Sequence, residues 1–453
     1  PWQTTGLPDG LWQGSSTSEL TALWSRTSAP LARPYAMARF GMTLMLAEAR
    51  PPTTGKTSDW LRARAQWLMR AGAVPQARAL LEQAPTATDP ATAKTLFADW
   101  LGAALLDGAG TQVCQHWRAA PWLSEDLRLH VFCWARLNDW ATAMTVLNAA
   151  DGLGDLSADQ SGLLLRFLDP ALAEDLPALP APRDPDPLTY RIYEAIGEPQ
   201  SITRLPLAFA ATQLDGDGGW KAQIDATERL TRAGSLPPAR LLEVYGARRP
   251  AASGGVWDRV AAVQALRRAL AGDDIAAQVT ASARAFETLR PAGLAVVLAR
   301  GMAADLPGLT SLAGVDLGGA ASDVATLAHM HLLSDDYELA ARALPPDLGA
   351  HLPNHALLVA IAQGQSAQPL GGNRHATAIA TAFAMRPALP EVDALVADMR
   401  LGEAIVIAMA QVNAGAMGDG RALTQGLRSL RSLGLEDLAR RTALELLILD
   451  PVQ

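Results

Sequence analysis

At 453 residues and 47.8 kDa the chain is roughly two to three times the usual domain length, so several packed units or one long repeat array are expected. Hydrophobic residues make up 49% and charged residues 19%, which excludes global disorder, and no run reaches the ~20 apolar residues of a membrane-spanning helix, Leu401 to Met417 being interrupted by Glu403, Gln411 and Asn413. With 38 basic against 46 acidic side chains the formal charge is −8, which argues against a broad phosphate-binding surface and hence against a nucleic-acid partner.

The chain begins at Pro1 without an initiator Met, as expected where a leader has been removed or the chain shortened, and no basic-then-apolar signal segment is visible. Residues 1–50 carry Trp2, Trp12 and Trp24 among Gly, Ser, Thr and Pro and read as a partly extended segment with one short helix near Met42 to Arg50. From Asp59 apolar residues recur at three and four with almost no period-two alternation, so residues 51–178 read as helical repeats and no sheet is needed. Leu179 to Pro187 holds four prolines, each removing a backbone donor and restraining its predecessor, and 179–189 reads as a linker. Helical repeats resume over 190–305, with a loop at Ala247 to Gly255, and continue over 306–453 in groups of two or three helices. Ala295 to Leu298, a candidate strand in isolation, sits inside helical periodicity and is assigned to a helix.

Two cysteines, Cys114 and Cys133, rule out a disulfide-rich scaffold and a four-Cys zinc site. Gly110 to Ala119 and Ser124 to Leu137 read as two helices with Pro121-Trp122 in the turn between them. The midpoint of the cysteines falls near Leu123, so antiparallel helices bring them level and within reach of a structural disulfide. A bridge implies export; two buried thiols in a helix pair are the alternative.

The chain is also self-similar. A small residue is followed by Ala five later and an apolar residue nine later at Gly72, Ala77 and Leu81, at Asn138, Ala143 and Leu147, at Gly434, Ala439 and Ala443, and more loosely at Ser334, Leu339, Ala340 and Ala343. The small residue ends one helix and the Ala lets the next approach closely. Through Trp67 to Gly72 with Ala77 to Leu81, and Phe132 to Asn138 with Trp140 to Ala143, the sequence resembles the tetratricopeptide class of helical repeats, and exported bacterial envelope proteins built from them. The resemblance covers about a third of the chain. It implies an all-α fold, an α-solenoid or superhelix of antiparallel helical hairpins, and no particular activity.

Motifs with chemistry are sought and set aside. Gly55-Lys56-Thr57 has no Gly five positions earlier and no preceding strand. Asp215 to Gly219 opens like a calcium loop, but Ala226 stands where its closing carboxylate belongs. His329 and His331 are about 200° apart on a helix, and Pro353 separates His351 from His355. Arg248-Arg249, Arg267-Arg268 and Arg440-Arg441 read as solvated helix faces. No catalytic, metal-binding or cofactor-binding residue is expected. Of twelve tryptophans ten precede residue 141; Trp2 and Trp12, outside the repeats, are the candidates for docking, onto the protein's own helices or onto a partner.

The expectation is a non-enzymatic scaffold or adaptor of the bacterial cell envelope, periplasmic, binding a protein or peptide on a curved helical surface, with self-association open. Two alternatives stand beside it. The helical body is similar to the superhelix of exported lytic transglycosylases, which implies a peptidoglycan enzyme, although no helix presents that family's Glu-Ser pair. The other is a structural subunit of an envelope machine such as a flagellar motor or secretion apparatus.

Overall fold

The computed structural model describes residues 6–26, 34–84, 89–171, 179–215, 217–312, 321–344, 348, 351–369 and 373–449. All regular structure among them is helical; the one β-type pairing is an isolated bridge between Ser16 and Thr54. Among the described residues no helix is long and apolar enough to cross a membrane. Two compact units result, the larger from residues 1–55 and 216–453, the smaller from residues 56–215.

The recurring local device is a helix ended by a left-handed residue with the next helix beginning two positions later. Gly72 (φ 79°), Asn138 (φ 66°) and Gly434 (φ 77°) hold this position. After each, the following N–H reaches back five residues, Ala73 to Leu68 O, Asp139 to Trp134 O and Leu435 to Leu430 O, which satisfies carbonyls the helix end leaves bare. Helices Val74–Glu82, Trp140–Leu153 and Glu436–Leu449 then start at once. Their fourth and eighth residues, Ala77 and Leu81, Ala143 and Leu147, Ala439 and Ala443, are all buried against the helix just completed or its neighbours. Gly108, Met399 and Gly418 build the same connection, with Val113, Ala404 and Leu423 buried five positions on. The looser site at Ser334 is a different turn: the Ser334 hydroxyl donates to His331 O and accepts from Asp336 N–H, and Leu339 is exposed.

In the smaller unit, helix Thr57–Arg70 pairs with Val74–Glu82, Pro90–Leu106 packs on both, and Gly110–Ala119, Leu127–Arg136 and Trp140–Leu153 follow as sequential neighbours. Its core gathers Trp100, Trp117, Leu129 and Phe132, with Trp134 edge-on to Trp117 at 5.6 Å between ring centres. The sequence places Gly110–Ala119 at its observed bounds, and Pro121–Leu123 forms a 3-10 turn where the break was expected. The Pro-rich stretch falls inside this unit, where Tyr193 donates its hydroxyl proton to Pro180 O and Pro187 opens helix Pro187–Ala195.

In the larger unit, Ala295–Met302 is a helix, as its periodicity predicts. The N-terminal region, read as partly extended, holds two helices, Thr17–Arg26 and Tyr35–Leu46. The first packs on Leu401–Ala416 and the second on Glu436–Leu449, so the two ends of the unit lie together. Glycines let helices approach closely: a Cβ at Gly415 would stand 2.5 Å from Cβ of Leu423, and one at Gly426 would stand 2.7 Å from N of Val412. Gly426→Ala therefore pushes a methyl into backbone that has no rotamer to yield, with an expected loss of about 1–3 kcal/mol. At Gly152, within a helix and open to solvent, the same change gains about 0.5–1 kcal/mol. Urea midpoints of the two variants measure both, and equal midpoints contradict the packing argument.

Candidate functional site

Where helices Tyr35–Leu46 and Glu436–Leu449 of the larger unit meet, they frame a cleft of about 590 Å³. Tyr35, Ala36, Arg39, Phe40 and Thr43 come from helix Tyr35–Leu46, Pro237 and Pro238 from the start of Pro238–Gly246, Arg300 and Gly301 from the end of Ala295–Met302, Asp335 from a turn, and Asp437, Leu438 and Arg441 from Glu436–Leu449. Pro238 is tolerated at a first helical turn, where its missing N–H has no partner to lose. It lays a rigid apolar edge along the cleft.

Charge in the cleft is largely self-compensated. Asp335 Oδ1 accepts from Arg300 Nη2 and from Arg441 Nη1, each at 2.7 Å. Arg441 Nε donates to Asp437 Oδ2 at 2.8 Å, and Tyr337 donates its hydroxyl proton to Asp437 Oδ1 at 2.9 Å. Burial opposes the charge on Asp335, but the hydrogen bond and charge of Arg300, then those of Arg441, outweigh it and hold the carboxyl below its ordinary range. Burial and then the Asp437 carboxylate push the Tyr337 phenol up. Two guanidiniums cover aromatic faces, Arg300 over Tyr35 at 5.5 Å and Arg441 over Tyr337 at 5.0 Å. Arg39 Nη1 donates to Gly234 O at 2.9 Å.

Beneath this layer lies Glu445, 5% exposed. Both its oxygens accept from the Ala36 N–H, at 3.0 and 3.2 Å, so a side chain of the last helix caps helix Tyr35–Leu46, whose own preceding residue, Pro34, offers no cap. Burial pushes its carboxyl up to about 7, against the pull of the Ala36 hydrogen bond and the Arg300 charge.

The residues singled out from sequence are placed elsewhere. Cys114 and Cys133, both buried in the core of the smaller unit, have their sulfurs 2.09 Å apart, at disulfide distance, with Cα atoms 4.8 Å apart. Trp12 is fully buried against Gly402 and edge-on to Trp24 at 5.5 Å, so it docks on its own chain and offers no surface to a partner. Trp2 lies outside the described residues. His331 Nε2 sits 3.0 Å from Pro307 O, and burial lowers the pKa of both His331 and His329, the latter to about 4. No group of three His, Cys, Asp or Glu among the described residues is arranged to hold a metal ion. Arg440 and Arg441, read as a solvated face, are held in ion pairs with Glu338, Glu436, Asp335 and Asp437.

Sequence reading passed over the cleft itself. Its residues come from five places in the chain and share no motif. The one signal on offer was an acidic residue, Glu445, inside the apolar run Leu444 to Leu449. No protein-family model, no curated protein and no solved structure matches the chain.

Proposed function

We propose that the chain is a non-enzymatic scaffold or adaptor that binds a partner protein or peptide, and that it works in the bacterial cell envelope. One observation carries the reading. The cleft's two acids are committed to its own groups, Asp335 to Arg300 and Arg441, and Asp437 to Arg441 and Tyr337, while Tyr35, Phe40, Pro237 and Pro238 supply apolar and aromatic wall. Such walls suit an extended polypeptide held by packing and a few polar anchors. The recurring left-handed connections support a stack of tetratricopeptide-like hairpins, an architecture whose concave faces bind other proteins. The cysteine pair at disulfide distance supports an oxidising compartment such as the periplasm.

A photo-cross-linking residue at Phe40 tests the binding reading in cells. One defined protein adduct is expected from Phe40 and none from the same residue placed at Leu153, an exposed position of the smaller unit. Absence of an adduct at Phe40, or the same mixture from both positions, sinks it. The compartment is tested separately: protein denatured without reductant is expected to show no titratable thiol, and two free thiols end the envelope assignment.

A further inference from the structure

Resting on that reading of the cleft, we infer that its occupant is an extended polypeptide segment carrying acidic side chains, whose carboxylates pair with Arg39 and Arg300. The argument is an account of donors and acceptors. Arg39 commits Nη1 to Gly234 O, and Arg300 commits Nη2 to Asp335. The Nε and Nη2 of Arg39 and the Nε and Nη1 of Arg300 engage no acceptor among the described residues. On the acceptor side Asp437 has both oxygens in use, and Asp335 has Oδ2 alone to spare. Four guanidinium nitrogens thus stand unpaired, and the lining carries three arginines, Arg39, Arg300 and Arg441, against two carboxylates, Asp335 and Asp437, so the wall is complementary to acids.

Arg300 sharpens the point, because its side chain is only 16% exposed and already covers the Tyr35 ring. The two arginines project from different helices, Tyr35–Leu46 and Ala295–Met302, and line the same cleft. The formal charge of −8 repels acids at long range, which leaves attraction to these local groups and makes it sensitive to salt.

The test uses the full chain and three pools of short fluorescent peptides on a common Pro, Leu and Ser background, carrying Asp and Glu, Asn and Gln, or Lys and Arg. By anisotropy the acidic pool is expected to bind about tenfold more tightly than the amide pool, and to lose about that factor in Arg39→Gln and at about 0.5 M salt. Arg39 is exposed, so that variant keeps its fold, which circular dichroism checks. Arg300→Lys, which keeps the charge, is expected to weaken binding as well. Preference for the basic pool, equal binding of acidic and amide pools, binding that a free C-terminal carboxylate alone reproduces, or a cleft filled by a second copy in sedimentation each overturns the inference. If every pool fails while Phe40 captures a partner in cells, the acidic occupant is wrong and the scaffold reading stands; if both fail, both fall.

Discussion

Removing Glu228 is expected to cost the larger unit about 3–5 kcal/mol. Glu228 is buried in helix Trp220–Arg232 and accepts from Arg259 Nε at 2.9 Å and Nη2 at 2.6 Å, while Tyr245 donates its hydroxyl proton to the same carboxylate at 2.7 Å. Glu228→Ala strands the Arg259 guanidinium in a mostly covered site, with Arg232 close enough to repel it, and leaves the buried Tyr245 hydroxyl without its acceptor. Replacing the whole group, as in Glu228→Met with Arg259→Met and Tyr245→Phe, removes every orphan at once and is expected to recover most of the loss. Urea unfolding followed through Trp220, whose ring lies 5.3 Å from that of Trp257, reads both. A single variant within 1 kcal/mol of the parent, which is about the value of an exposed pair, would show that the group is solvated.

The second large effect is a dependence on pH. The carboxyl of Glu445, ordinarily near 4.5, is pushed up to about 7 in the folded chain, so the folded state binds its proton more tightly than the unfolded one. The stability this confers is full below about pH 4.5 and is lost as pH rises towards 7, up to about 3 kcal/mol in all. Tyr35, Arg300 and Arg441 face the group, and the two arginines lessen the shift. Glu445→Gln keeps an oxygen for the Ala36 N–H and cannot ionise. It is expected to match the parent near pH 4 and to exceed it by up to about 3 kcal/mol near pH 8. Parallel stability curves for the two proteins across that range would refute the assignment.

How far these sites were legible depends on how locally they are encoded. The connection at Gly72 is written in a dozen consecutive residues, because a left-handed terminus and a close-packed Ala five later both follow from backbone geometry. Gly108 and Gly418 make the same turn and escaped notice because Val113 and Leu423, not Ala, occupy the close-packed position. The signal is the left-handed residue and the buried fifth position, whatever apolar residue fills it. The cysteine pair was legible for a related reason, since a hairpin centred on Leu123 fixes which residues face each other.

The cleft was not legible because no short-range rule joins Tyr35, Arg300 and Arg441. Their meeting depends on helix Tyr35–Leu46 settling against Glu436–Leu449, a choice made by burial across the whole unit. The seat of Trp12 was hidden in a related way. Gly, Ser, Thr and Pro around it suggested a partly extended segment docking on the protein's own helices or on a partner, and a glycine at 402 opens a seat for its ring in a helix almost four hundred residues away. Composition near a residue carries no word of what distant surface accepts it.

The hydrogen bond from Ala36 to Glu445 spans 409 positions. On a ribosome adding about 5–20 residues per second, helix Tyr35–Leu46 emerges roughly 20–80 s before the helix that caps and covers it exists. For that interval its apolar face, with Met37, Met42, Leu44 and Met45, has no permanent cover. The newborn larger unit therefore keeps that face uncovered until its last helix has been made, whereas the smaller unit, contiguous in the chain, is free to close while translation continues.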